Sequence, residues 1–231
     1  MPGVSAGHDT NLTERLLDIY ARLYRHFGPC NWWPADSPFE VCVGAILTQN
    51  TNWGNVEKAV ANLKRGGVLS PDGLKGVSLV ALAEMIRPAG YFNVKSRRLK
   101  SFVDWLWDRY DGSIDRMSSV PLDAIRDELL AVHGVGRETC DSILLYAGNY
   151  PTFVVDAYTG RLFSRLGVID GTADYETTRT LFMTHLQADV ALYNEFHALI
   201  VLQCKEFCRK KPVCGDCILK EICGTTALQK N

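Results

Sequence analysis

Apolar residues recur along most of this chain at the three-to-four-residue spacing of helices, and strand-like alternation is scarce. Over residues 13–27, Leu16, Leu17, Ile19, Tyr20, Leu23 and Tyr24 fall on one broad stripe, with Thr13 placed as an N-cap. A turn-rich stretch through Gly28, Pro29, Pro34, Asp36 and Pro38 follows. Helical spacing then resumes over 39–48, 55–64, 78–86, 95–110, 122–132 and 138–148. Glycine and proline punctuate these runs at Gly66-Gly67, Pro88-Ala89-Gly90, Asp111-Gly112 and His133-Gly134. The last third reads as helices over 157–166, 175–186 and 190–206, ahead of a run of cysteines. Only 152–155 looks extended, and it is short. The pattern predicts an all-α protein without internal repeats or low-complexity tracts.

Composition narrows the class. With 47% apolar and 22% charged residues, the chain has the make-up of a globular protein, not of a disordered segment or a fibre. No stretch approaches the roughly 20 apolar residues of a membrane-spanning helix, and 1–11 lacks the pattern of a secretory signal. A cytoplasmic location is expected. Lys and Arg number 25 against 26 Asp and Glu, so any binding to nucleic acid must rest on locally concentrated cations.

Four features carry candidate chemistry. An amphipathic helix ends at His133-Gly134-Val135-Gly136-Arg137 and another begins at once. Two glycines in a tight interhelical turn leave N–H groups uncovered at the positive end of the following helix, which suits a phosphate; an ordinary helix–helix turn reads the same way. Downstream, Thr152-Phe153-Val154-Val155 runs into Asp156. Such an aspartate is an N-cap, an ionised carboxylate facing a cleft, or both. The cysteines are more specific. Cys208, Cys214, Cys217 and Cys223 lie within 16 residues, the thiol set that a tetrahedral zinc ion or a [4Fe–4S] cube requires, with Cys204 as a fifth candidate. Cys30, Cys42 and Cys140 are scattered and read as small buried hydrophobes. Cations cluster at Lys95, Arg97, Arg98 and Lys100 and, inside the cysteine run, at Arg209, Lys210 and Lys211, where a rigid loop would turn them toward phosphates. Trp32 and Trp33, beside Pro34, and Trp53 further on are either core or a stacking platform for a base.

The order of these pieces resembles the helix-hairpin-helix (HhH-GPD) DNA glycosylases, the endonuclease III family, over residues 38–223. Phe39-Glu40-Val41-Cys42-Val43-Gly44-Ala45-Ile46-Leu47-Thr48-Gln49-Asn50-Thr51 looks like the family's barrel helix ending in a polar wedge, and Ala89-Gly90-Tyr91-Phe92-Asn93-Val94-Lys95-Ser96 like its Gly-Tyr-x-Asn-x-Lys-Ala segment. The stretch from His197 to Cys208 matches the run into the family's first cluster ligand. The resemblance therefore implies a [4Fe–4S] cluster on Cys208, Cys214, Cys217 and Cys223. The first cysteine spacing is one residue short of the family's, which keeps Cys204 in view. Bifunctional members carry a lysine right after Gly-x-Gly-Arg. Here that position is Glu138, which cannot form an imine. Glu138, the Leu-Thr-Gln-Asn-Thr segment and Asp156-Ala157-Tyr158 look most like the monofunctional 3-methyladenine DNA glycosylase branch.

The resemblance implies two helical domains with a cleft between them. A six-helix barrel over 38–150 would end in the helix-hairpin-helix, and 1–37 plus 151–231 would carry the cluster loop. The expected partner is double-stranded DNA containing a damaged base, bound by a monomer. The expected reaction is hydrolysis of the N-glycosidic bond of a flipped-out alkylated purine. Asp156 would carry the chemistry beside Glu138. Gln49 and Asn50 would fill the vacated stack; His133, Gly134, Gly136, Arg137, Lys210 and Lys211 would hold the backbone; Trp32, Trp33 and Trp53 would line the base pocket. Two alternatives stand beside this: an endonuclease III-like enzyme for oxidised pyrimidines, mismatched bases or uracil, and a non-catalytic DNA-binding module.

Overall fold

Leu16, Ile19 and Leu23 are fully buried along α1 (Gly7–Phe27), at the spacing of one helical face. Leu17 and Tyr24, on the edge of the same stripe, are about two-fifths exposed, at 43% and 42%. Thr13 is not an N-cap as the pattern suggested. The helix begins a turn and a half earlier, and the Thr13 hydroxyl lies 3.4 Å from His185 Nδ1.

Ser37 and Pro38 open the next helix cleanly. The Ser37 hydroxyl accepts the Glu40 N–H at 3.2 Å, and proline presets φ in the first turn of α2 (Pro38–Leu47). Every residue from Phe39 to Leu47 is buried, the behaviour of a helix that is apolar nearly all round. In the computed structural model, which describes residues 7–225, α2 is a hub. It packs against α3 (Trp53–Arg65) and also against α6 (Phe92–Tyr110), α9 (Arg137–Ser142) and a π turn that follows α9. Around it come α4 (Pro71–Gly76), α5 (Leu79–Met85), a 3-10 turn (Arg87–Ala89), α6 (Phe92–Tyr110), α7 (Ile114–Met117), α8 (Leu122–Ala131) and α9 (Arg137–Ser142). The helix expected over 138–148 stays α-helical only to Ser142 and then widens into the π turn Ile143–Ala147. Gly148 N–H donates to Ile143 O, and Tyr150 OH donates to Met117 O and Val120 O, closing this end of the core. These elements form one unit, Trp33–Tyr150.

The second unit joins the described residues before Trp33 to those from Pro151 onward. It holds α1, α10 (Ala157–Arg165), α11 (Tyr175–His185), α12 (Val190–Glu206) and the cysteine run. Its core is aromatic. Phe153 stacks on Phe182 with centroids 4.0 Å apart, and Phe163, Tyr193 and Phe196 meet them edge-on. Residues 152–155 are extended without pairing into a sheet, and Phe153 anchors them. Among the described residues there is no strand, and no helix is long and apolar enough to cross a membrane.

Candidate nucleic-acid interface and catalytic carboxylate

The interhelical turn is fastened from within. Val132 and Val135 are buried, while His133, Gly136, Arg137 and Glu138 are exposed. Arg126 on α8 forms a two-pronged ion pair with Asp141 on α9, at 2.9 and 3.0 Å; Asp141 is fully buried. The two glycines differ. Gly134 has φ +88°, and a Cβ there would lie 2.1 Å from Arg98 Cγ, so the position admits only glycine. A Cβ on Gly136 would meet nothing within 4 Å. No side chain caps the start of α9 at Gly136, so the turn presents backbone on its open face.

The loop after α2 adjoins this turn. Gln49 Nε2 donates to Gly134 O at 3.0 Å and to Thr139 Oγ1 at 2.9 Å, and its Oε1 accepts from Arg98 Nη1. Asn50, next in the chain, is exposed with φ +54°. Lys95 is buried, and its Nζ donates to Leu47 O and Ala89 O, both at 2.8 Å. Burial, with help from the Arg98 charge, pushes its pKa down to about 8.

Trp33 and Trp53 meet edge to face, 5.0 Å between centroids, and line a recess of about 250 Å³ with Gly44, Glu40, Glu57 and Lys64. A Cβ on Gly44 would lie 3.2 Å from the Trp33 ring, so glycine lets this indole lie against α2. Lys64 Nζ contacts Glu40 at 2.8 Å and Asp36 at 2.7 Å. Trp32 does not line this recess; it belongs to the second unit.

Asp156 is both a cap and a buried carboxylate. Its Oδ1 accepts the Thr159 N–H at 2.8 Å and the Thr159 hydroxyl at 3.0 Å, and the Asp156 N–H donates back to Thr159 Oγ1 at 3.4 Å, which closes a capping box at the start of α10. Its Oδ2 lies 3.6 Å from His197 Nε2, and the side chain is 12% exposed. Burial pulls its pKa upward, but His197 and the two Thr159 donors outweigh burial and hold the carboxyl below its ordinary value. The group is ionised at neutral pH.

Helix α10 also grips the cysteine run. Arg161 Nε donates to Cys208 O at 2.7 Å, and Arg165 donates to Arg209 O at 2.7 Å, Lys210 O at 3.1 Å and Cys208 Sγ at 3.3 Å. Gln203 Nε2 lies 3.1 Å from Cys217 Sγ. Cys208, Cys214, Cys217 and Cys223 line one small cavity with Leu162 and Leu219. Cys204 is not among its walls; its thiol points to Tyr158 O at 3.5 Å. The neighbouring Cys204 thiol and the Arg165 guanidinium hold the Cys208 thiol below its ordinary pKa against burial, while Cys204 itself is pushed up. Lys210 and Lys211 are exposed beside this cavity. Among the described residues, no three His, Cys, Asp or Glu side chains are gathered as a ready metal cage.

Residues 43–188 match the model of the HhH-GPD superfamily base excision DNA repair proteins. The chain belongs to that superfamily. It is 48% identical over 215 residues to MJ1434 of Methanocaldococcus jannaschii, whose name assigns it to the DNA repair glycosylases; the match covers 92% of this chain and 97% of the relative. Among solved structures it is similar to the Helicobacter pylori 3-methyladenine DNA glycosylase MagIII bound to 1,N6-ethenoadenine, at 26% identity and a TM-score of 0.71, covering 86% and 97% of the two chains. It shares the fold of endonuclease III in a non-covalent DNA complex, with 22% identity, a TM-score of 0.81 and coverage of 94% and 98%.

Within this HhH-GPD frame, the structure brings Gln49, Gly134 and Thr139 together and sets Trp33 beside Trp53. It keeps Asp156, Lys210 and Lys211 in the second unit. Two residues went unremarked as site candidates in the sequence. Tyr91 is 71% exposed with φ +46°, a strained aromatic at the start of α6, signalled only by its place after Gly90. His197 is a buried histidine in the apolar face of α12, and that break in the apolar run was its signal.

Proposed function

We propose that this HhH-GPD DNA glycosylase is monofunctional and removes an alkylated, cationic purine from duplex DNA. Glu138 carries the reading: an exposed carboxylate stands right after Gly-x-Gly-Arg, where the bifunctional relatives place their imine-forming lysine. Lys95, whose pKa is pushed down to about 8, is buried against two carbonyls and is no substitute. Water is then the nucleophile.

A base inside the duplex is out of reach, so the nucleotide must be extruded, at a cost of a few kcal/mol that damage lowers. Asn50 and the exposed Tyr91 are suited to contact the opened stack, and the backbone around Gly134 and Gly136, with His133, Arg137, Lys210 and Lys211, to hold phosphates. The Trp33–Trp53 recess, with Glu57 on its wall beside the Glu40–Lys64 ion pair, favours a cationic base through its π faces and the Glu57 carboxylate. Asp156, ionised and nearly buried, stabilises the positive sugar that forms as the base departs and orients the attacking water. MagIII, bound to an etheno-adenine, supports the purine assignment.

The cysteines suit a [4Fe–4S] cluster. Four thiols share one cavity, and N–H donors from Arg165 and Gln203 face two of them, the setting that anionic thiolate ligands need. Bound there, the cluster would cross-link the loop that carries Lys210 and Lys211. Cys208, Cys214, Cys217 and Cys223 would hold it.

Asp156→Asn tests the chemistry, because it keeps the size and most of the capping ability and removes the charge. Base release from alkylated duplex should fall by about two to three orders of magnitude while folding and DNA affinity survive. Borohydride should trap no adduct with the wild-type protein, and strands should break only after alkali. A trapped adduct, or full activity of Asp156→Asn, overturns the assignment. Release of oxidised pyrimidines or uracil in place of alkylated purines transfers the protein to the endonuclease III-like substrate class.

A further inference from the structure

Asp156 caps α10 with one oxygen only. Oδ1 takes both Thr159 donors, at 2.8 and 3.0 Å, so the capping box is complete without Oδ2. Oδ2 faces α12 instead, 3.6 Å from His197 Nε2, an ion-pair distance. His197 lies within an unbroken run of buried residues from Phe196 to Val201 and is itself 6% exposed. A polar ring in that setting costs free energy unless a partner meets it, and an apolar residue would fill the same face of the helix without the cost. Burial of the carboxyl and of the ring therefore serves neither the cap nor the core. Cys204, two turns further along α12, is the other titratable group in the field of Asp156, and near neutral pH it is an uncharged thiol.

We propose that His197 is a positioning residue for Asp156: its Nε2 fixes Oδ2 as the oxygen left to meet the sugar and the attacking water, while Thr159 keeps Oδ1 for the cap. The two oxygens of one carboxylate are thereby given separate tasks by two helices. The same contact, with the Thr159 donors, opposes the pull of burial on the carboxyl and keeps it charged. The proposal rests on the reading that Asp156 is the glycosylase carboxylate, but not on which base is removed.

The test uses the full-length protein with carbon-13 at its aspartate carboxyls, and Asp156→Asn assigns the Asp156 signal. His197→Phe keeps a flat ring and removes the donor; His197→Gln keeps an N–H. If His197 positions Asp156, the carboxyl titrates at least about one pH unit higher in His197→Phe than in the wild-type protein, with His197→Gln between them. Single-turnover base release from methylated duplex should show the same upward move of its acid limb. Its plateau rate should fall by about tenfold in His197→Phe at unchanged DNA affinity, and His197→Gln should restore part of it. An unmoved Asp156 titration, or a rate that falls equally at every pH with the acid limb in place, overturns the proposal, because the histidine then only fills space. Should His197→Phe fail to fold, the wild-type protein decides: the nitrogen-15 signal of His197 Nε2 should move as Asp156 titrates and should differ in Asp156→Asn. A signal indifferent to both overturns the proposal. If the wild-type protein releases no methylated base, the substrate reading fails, and if Asp156→Asn stays fully active, the catalytic reading of Asp156 fails. In either case the two titrations still decide whether His197 holds the carboxylate.

Discussion

The interhelical turn of the Trp33–Tyr150 unit is fastened by buried valines, a desolvated ion pair and neutral amide bonds, whereas the cysteine run of the second unit is held largely by arginines donating to its carbonyls. Between Cys208 and Cys223 the chain offers Leu219 as a deeply buried apolar residue, surrounded by thiols and exposed cations. One region is pre-set by packing; the other is built around its four sulfurs. The difference separates the interhelical turn from the carboxylate unit, whose α10 is gripped by the cysteine run.

Three changes break or sharpen this contrast. Cys214→Ser should have the largest effect, with loss of bound iron, of absorbance near roughly 400 nm, and of upwards of ~5 kcal/mol from the second unit, since metal binding at such sites is folding free energy. Hydrogen exchange in the interhelical turn should stay slow. Colourless wild-type protein holding one zinc would replace the cluster and leave the contrast standing. Asp141→Ala attacks the other region. It removes the two-pronged carboxylate partner of the nearly buried Arg126 guanidinium and should cost about 3–5 kcal/mol in urea unfolding. An effect below about 1 kcal/mol would mean that the turn relies on its valines alone. The smallest effect concerns Lys95. Its folded pKa of about 8 lies below the unfolded value, so between about pH 8 and pH 10.5 the unfolded chain binds the extra proton. Stability should therefore rise with pH across that window relative to Lys95→Met. Parallel pH profiles for the two proteins would remove Lys95 as the source.

Much of the fold was legible because α1, α3 and α6 keep one apolar face over several turns and end in glycine or polar residues. The helix α2 was visible as an apolar run, but its role as hub was not, because a helix buried on all sides shows no face. Short α4 and α7 lack the length to reveal a period. The widening of α9 into a π turn carries bonds from Gly148 N–H to Ile143 O and from Tyr150 N–H to Leu144 O, a change of spacing that the apolar pattern does not register. In the site, Asp156 and the four cysteines could be read from local sequence and spacing. The pairing of Arg98 with Gln49 spans 49 positions, and that of His197 with Asp156 spans 41, so neither leaves a local trace.

The two glycines of the turn answer to different judges. Gly134 is guarded by the fold itself, since any side chain collides with Arg98 whether or not the protein ever meets DNA. Gly136 faces open space and is guarded only by what comes to lie against it. On the proposed reading, in which the turn docks on DNA, a descendant of this chain that lost that contact would keep the first and drift at the second, so the pair would record in its own variation whether a lineage still uses the turn.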